Sequence, residues 1–203
     1  MDQRSPEWFA ERCGKVTASR VSDIIAKTKS GYSSSRANYM AQLVCERATG
    51  NVEPSFTNAA MEWGTEKEPL AREAYSVKTG NLVTEVGFIR HPYLEAGASP
   101  DGMVGSNLIE IKCSNSNTHI ETLLSQTVPM KYITQMQWQM ACTGAMWCDY
   151  VSYDPRMEPR LQLFIKRVDR DGEYIKELEG EVSAFLSELE LKIKALKEIN
   201  NGI

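Results

Sequence analysis

Apolar positions recur along this chain at two spacings, and the two divide it into helices and strands. Leu178, Phe185, Leu189, Ile193 and Leu196 fall near one face of a helix, and the pattern predicts a long amphipathic helix over residues 173–199. Shorter helical patterns cover residues 16–26, with Thr17 placed to cap the first turn, and residues 36–48, which Gly50 stops. Another runs over residues 57–78 and ends before Gly80. A further one, rich in Met, Gln and aromatic residues, covers residues 131–143. Strand signals lie at residues 82–90, 108–113, 147–153 and 161–168. Between the first two, HPYLEAGASPDG is rich in Pro and Gly and reads as turn. Helices, then strands, then helix, strands and helix predict an α/β or α+β fold around a central mixed sheet. At 203 residues, with no internal repeat or long linker, residues 1–203 are expected to form one domain with a sizeable core.

Composition narrows the function classes. No apolar run approaches the roughly 18 residues needed to span a bilayer, and MDQRSPEWFAER lacks an apolar signal core, so the expectation is a cytoplasmic protein. The five cysteines (Cys13, Cys45, Cys113, Cys142 and Cys148) are odd in number and form no C-x-x-C pair, which argues against a disulfide framework or thiolate cluster. His91 and His119 are far apart, which gives little support to a zinc site or a Ser/His/Asp triad. The net charge of −4 is unevenly placed. Residues 171–200 carry eight acidic and four basic side chains, whereas the first fifty carry eight Lys/Arg against five Asp/Glu. An acidic tail and a mildly basic head permit a nucleic-acid partner without requiring one. The polar loop KTKSGYSSS (27–35) has two readings, a solvated turn or a phosphate-contacting loop.

The charge that most needs explaining lies within the strand at 108–113. Glu110 and Lys112 are two residues apart, so they share a face with Leu108, while Ile109, Ile111 and Cys113 point the other way. A charged face on a strand must be solvated, paired or holding a metal. Taken alone, an E-x-K pair is what an edge strand carries on its surface. Asp101 changes that reading, because a hairpin would bring it beside Glu110, with Pro100 and Gly102 fixing its backbone. Glu68 in the preceding helix can add another carboxylate. Clustered carboxylates repel unless a cation lies between them, and hard oxygen donors suit Mg²⁺ or Mn²⁺. A lysine beside such a site can orient or deprotonate a water, or neutralise charge in the transition state. Together these groups suit phosphodiester hydrolysis.

SPDG (99–102) followed by LIEIKC (108–113) resembles the P-D…E-x-K signature of the PD-(D/E)XK nuclease superfamily. More closely, the chain resembles the lambda exonuclease family of YqaJ-type viral recombinases. The likeness also includes EWFAERCGKVTAS (7–19), MEWGTEKEPLARE (61–73), YITQMQWQM (132–140) and YDPRM (153–157), in order along most of the chain. The resemblance implies a restriction-endonuclease-like core. It assigns Glu68, Asp101 and Glu110 as metal-binding carboxylates with the Ile111 carbonyl as a further ligand, and Lys112 as the catalytic lysine. Gln135 becomes a helix glutamine that helps hold the site or the water. Arg12 and Ser19 become a grip on the terminal 5′-phosphate. Met61, beside Trp63 just before the Glu68 helix turn, is an apolar side chain that can wedge at the duplex end or be ordinary core. The implied activity is Mg²⁺-dependent degradation of one strand of duplex DNA from its 5′ end, with two ions and Mn²⁺ as a substitute. Family members form ring-shaped homotrimers and act with a single-strand annealing partner.

The residues fit these roles chemically. Arg12 offers a forked guanidinium for phosphate. Ser19 lies near a helix start, which favours anions but equally suits plain capping. Gln135 and Gln137 are two apart on one helix, so only one can face the site, and the match favours Gln135. The YDPRM segment reads by default as a structural turn, and the tryptophans and tyrosines as packing. An endonuclease or junction resolvase on the same core remains open and differs in cutting a closed circle. So does a non-catalytic DNA clamp, which has no need of the Asp101/Glu110/Lys112 set.

Overall fold

The structure is a computed structural model that describes residues 2–52 and 58–200. Its centre is a four-stranded mixed sheet. The strands are β6 (Gly102–Val104), β7 (Asn107–Lys112), β8 (Trp147–Tyr153) and β9 (Leu163–Asp169), in that spatial order. Here β6 and β7 form a tight hairpin, β7 and β8 run parallel, and β8 and β9 run antiparallel. A parallel pair needs a long crossover. Two helices, α5 (Ser116–Ser125) and α6 (Met130–Thr143), supply it between β7 and β8. The mixed sheet flanked by helices is the architecture expected from the sequence.

The two faces of β7 are both covered. Leu108 packs with Met136 and Met140 of α6, while Ile109, Ile111 and Cys113 pack with Ala71 and Tyr75 of α4 (Ala59–Thr79). The strand lies between β6 and β8 and is not an edge, so a surface Glu–Lys pair does not account for it. Glu110 is 0 % exposed.

A second layer forms around a small sheet of β1 (Val16–Thr17), β5 (Ala96–Ala98) and β4 (Ile89–Arg90). Its core takes Trp138 from α6, Tyr39 and Leu43 from α3 (Ser34–Thr49), Val21 and Ile24 from α2 (Val21–Ile25), and the inner face of α7 (Gly172–Asn200). Along α7, Leu178, Phe185 and Leu189 are buried and Ile193 is packed against them, but Leu196 is 43 % exposed. The apolar stripe therefore outruns the core beneath it.

Several sequence expectations are corrected. Residues 16–26 are not one helix. Val16 and Thr17 pair with Ala96 and Gly97, a 3₁₀ turn follows at Ala18–Arg20, and only then does α2 begin. Thr17 makes no side-chain cap; its backbone N–H donates to the hydroxyl of buried Tyr39. The strand expected at 82–90 is reduced to Ile89–Arg90 and a single bridge from Thr84 to Met103. The Val86 carbonyl accepts from the Gln3 side chain, away from any ladder. HPYLEAGASPDG contains β5, a strand of small residues with no apolar alternation. The loop at 27–35 holds a hairpin of β2 (Lys27–Thr28) and β3 (Gly31–Tyr32) that docks on α7: Lys27 and Tyr32 both bind Glu181. Arg36 forks onto Glu188. Residues 161–162 precede β9, with a 3₁₀ turn at Pro159–Leu161. Thr57, the expected start of α4, lies outside the described residues, and Asn58 caps the helix. Helix α1 (Pro6–Arg12) and α5 were not anticipated, although Ser5 and Asn115 cap them through their side chains. No helix among the described residues is long and apolar enough to cross a membrane.

Candidate active site

The β6–β7 hairpin places Asp101 and Glu110 side by side. Gly102 pairs with Ile109, so Asp101, one residue earlier, falls opposite Glu110. The turn into β6 needs glycine, because a Cβ on Gly102 would meet Val83 Cγ1 at 2.3 Å. The backbone N–H of Ile111 donates to Asp101 Oδ2 at 2.7 Å. Burial first, and then the negative charges of Glu110 and Glu68, push the Asp101 carboxyl well above the usual carboxylate range.

Glu110 is held from three directions. Lys112 Nζ donates to Oε1. Gln135 Nε2 donates to the same oxygen at 2.6 Å, and Gln139 Nε2 donates to Oε2 at 2.6 Å. The carboxylate plane is thereby fixed by one strand neighbour and two amides one helical turn apart on α6. Gln137 points elsewhere, to the Asp169 carbonyl and the Asp171 N–H, so the choice of Gln135 between the two is the one observed. Lys112 is 23 % exposed at its side chain. Burial works against its charge, but Glu110 and Asp101 outweigh burial and hold the ammonium protonated.

Glu68 faces the same cluster from α4 and is tied by two arginines. Arg72 Nη2 donates to Oε1 at 2.7 Å and Arg4 Nη2 to Oε2 at 3.3 Å. Arg72 also donates from Nε to the Asp101 carbonyl at 3.3 Å, linking α4 to the hairpin. Sequence reading missed Gln139 and Arg72. Each stands four residues from a residue it did name, Gln135 and Glu68, and that spacing was the available signal.

The donors suit a hard cation. Asp101 and Glu110 offer adjacent carboxylate oxygens beside the Ile111 carbonyl, and the raised Asp101 carboxyl is what a nearby cation would relieve. No three acidic, Cys or His side chains among the described residues converge as a ready cage, because Glu68 is turned to its arginines. A cation would therefore be held first by Asp101 and Glu110, with Glu68 joining by exchange of an arginine partner.

Among the described residues, the remaining predicted ones make no hydrogen bond to the cluster, although Arg12 reaches the segment that leads into it. Arg12 stacks 3.8 Å above the Trp8 ring and donates to Ser99 Oγ, two residues before Asp101. It makes no ion pair among the described residues, and burial lowers its pKa. Ser19 is exposed on the 3₁₀ turn, and no hydrogen bond joins it to Arg12. Met61 is 50 % exposed in the first turn of α4, so it is not core.

Comparison with known proteins identifies the family. Residues 7–146 match the YqaJ-like viral recombinase domain. No sequence among curated proteins matches the chain. An alkaline exonuclease (LHK-Exo) from Laribacter hongkongensis is similar at 54% identity and a TM-score of 0.90, covering 97% of this chain and 98% of that one. The same enzyme in complex with dAMP matches at 54% identity and a TM-score of 0.91, over 97% and 98% of the two chains. A phage related exonuclease from Haemophilus somnus shares the fold at 16% identity and a TM-score of 0.74, covering 90% of this chain and 96% of that one. With the family match spanning most of the sequence, this chain belongs to the YqaJ-like viral recombinase domain family.

Proposed function

We propose that this protein is a DNA exonuclease that hydrolyses one strand of a linear duplex from its 5′ end, leaving a 3′ single-stranded tail. The observation that carries this reading is Glu110. It is a fully buried carboxylate set between Asp101 and Lys112, with both oxygens held by amides from one helix. A buried charge fixed so completely is costly as scaffold and useful as a preorganised site. Similarity to an alkaline exonuclease over nearly the whole chain supports the same activity.

Asp101, Glu110 and the Ile111 carbonyl would hold Mg²⁺, with Glu68 beside them. When bound, the ions lower the pKa of water and neutralise the phosphate. Gln135 and Gln139 keep the Glu110 carboxylate from rotating. Lys112 presents the ammonium at the open side of the cluster, where its remaining N–H donors orient the attacking water or meet charge growing on the phosphate. Arg12, a guanidinium without a carboxylate partner close to Asp101, takes the terminal 5′-phosphate, with Ser19 as a second contact. Met61, an exposed apolar side chain, wedges against the last base pair in this reading. The same reading places the protein in a homotrimeric ring, supplying tails to a single-strand annealing partner.

The test is digestion of linear duplex by the wild type and Lys112→Ala, with Mg²⁺ and with chelator. The expected result is rapid loss of duplex for the wild type with Mg²⁺ alone, and none for the variant although it still binds DNA. Full digestion by Lys112→Ala would overturn the site.

A further inference from the structure

The YDPRM segment forms a turn, but it also carries a feature that a turn does not need. Asp154, 0 % exposed at its side chain, holds Arg156 at three points. Its Oδ1 accepts from Arg156 Nε at 2.7 Å and from the Arg156 backbone N–H at 3.0 Å. Its Oδ2 accepts from Arg156 Nη2 at 3.0 Å. Ser116 Oγ donates to Asp154 Oδ2 at 2.7 Å, so the carboxylate is itself fixed. The guanidinium lies 4.4 Å from the centre of the Trp63 ring, and its side chain is 46 % exposed. Stacking and a two-point carboxylate clamp leave Nη1 without a partner among the described residues.

The position matters as much as the clamp. Lys112 pairs with Ser152 across parallel β7 and β8, so Asp154 and Arg156 stand just past the same strand ends. Arg156 Nη2 reaches the Ser114 carbonyl at 3.4 Å, two residues beyond Lys112, which is roughly 7 Å along extended chain. Trp63 packs with Ile111, Cys113 and Tyr153, and it lies on α4 between exposed Met61 and Glu68. Lys67 brings a second cation to the same indole, 4.8 Å from its centre. Lys67 is paired with Glu66 at 2.6 Å and Arg156 with Asp154, so charge is balanced here, and what faces solvent at the end of the strands that carry the carboxylate cluster is the unpartnered edge of the half-exposed Arg156 guanidinium.

We infer that Arg156, clamped by Asp154 and backed by Trp63, grips a backbone phosphate of the bound strand one or two nucleotides from the linkage being cut. The match is geometric and chemical. Successive phosphates of one strand rise about 3.4 Å along the duplex axis and lie farther apart along the winding backbone, so a group roughly 7 Å beyond Lys112 falls within one or two phosphates of it, and the free edge of a fixed guanidinium suits a phosphate oxygen. Arg156 is a positioning residue here: it sets the register of the strand over Glu110 and Lys112. The inference rests on reading that cluster as a DNA-hydrolysing site.

The test compares the wild type, Arg156→Gln and Arg156→Lys in binding to a labelled duplex end, with Ca²⁺ replacing Mg²⁺, across a salt series. Arg156→Gln is expected to bind about 10-fold more weakly, and its slope of log K against log salt to fall by about 1. Replacing the linkage one or two nucleotides from the cut site with an uncharged methylphosphonate is expected to erase the difference between wild type and variant. The same replacement ten nucleotides away is expected to leave it. Thermal melting separates this from loss of the turn. Where Arg156→Gln melts early, Arg156→Lys, which keeps a charge for Asp154 but not the fork, decides with an intermediate loss. Wild-type affinity and salt slope in a folded variant would overturn the inference while leaving the exonuclease reading intact. A wild type that digests no DNA would overturn that reading itself.

Discussion

Gln139 donates its side-chain N–H to Oε2 of Glu110 at 2.6 Å, from a position buried completely between α6 and the sheet. It closes the far side of a carboxylate whose near side faces Gln135 and Lys112.

Replacing Gln139 by Met leaves an acceptor of a buried charge unsatisfied. The expected cost is about 1–3 kcal/mol of stability together with a loss of digestion rate. Gln135→Met, at a less buried position, is expected to lower the rate with a smaller cost in stability. Denaturant midpoints and initial rates on the two variants check this. Equal stability losses would mean that the two amides are not arranged as described.

Glu68 is shared between Arg72 and the half-exposed Arg4. A cation that recruits Glu68 has to displace one of them, and Arg4 is the looser. Arg4→Ala is therefore expected to reach half-maximal digestion at a Mg²⁺ concentration several-fold below that of the wild type. A Mg²⁺ titration of initial rates reads it. An unchanged or raised requirement would show that Arg4 does not compete with the metal.

Asp154 makes stability depend on acid. Burial alone would raise its pKa, but the hydrogen bonds from Arg156 and Ser116 win and hold it at about 2, against an ordinary value of 3.8. A carboxyl whose folded pKa lies below its unfolded value stabilises the fold above the unfolded value, and that stabilisation is lost as pH falls toward 2. The stability gap between wild type and Asp154→Asn is expected to be on the order of 2 kcal/mol at pH 6 and to shrink steadily below pH 4. Denaturation at a series of pH values measures it, and a gap that stays constant down to pH 2.5 would contradict the clamp.

The sequence made the cluster legible because period and chemistry coincided there. Glu110 and Lys112 share a strand face, and a Pro-Asp-Gly turn could only aim Asp101 back at them. The helices α3, α6 and α7 were legible for the same reason, each having a continuous apolar stripe and, for α3 and α6, a glycine stop. What failed was decided by tertiary pairing. Val16 and Thr17 carry a helical pattern with their successors, yet hydrogen bonding to β5 draws them into a strand. Strand β5 itself is Ala-Gly-Ala, too small and uniform to signal. The polar loop at 27–35 could not reveal its partner, because Glu181 lies some 150 residues away on α7. The acidic tail is in part the counter-charge for that loop.

The most direct measurement is the order in which label leaves a linear duplex tagged at its 5′ or its 3′ ends, with Mg²⁺ present and a covalently closed circle alongside. The expected result is early release of the 5′ label, late release of the 3′ label and an untouched circle. Release of 3′ label first, or cutting of the circle, would contradict a 5′-end exonuclease built on Asp101, Glu110 and Lys112.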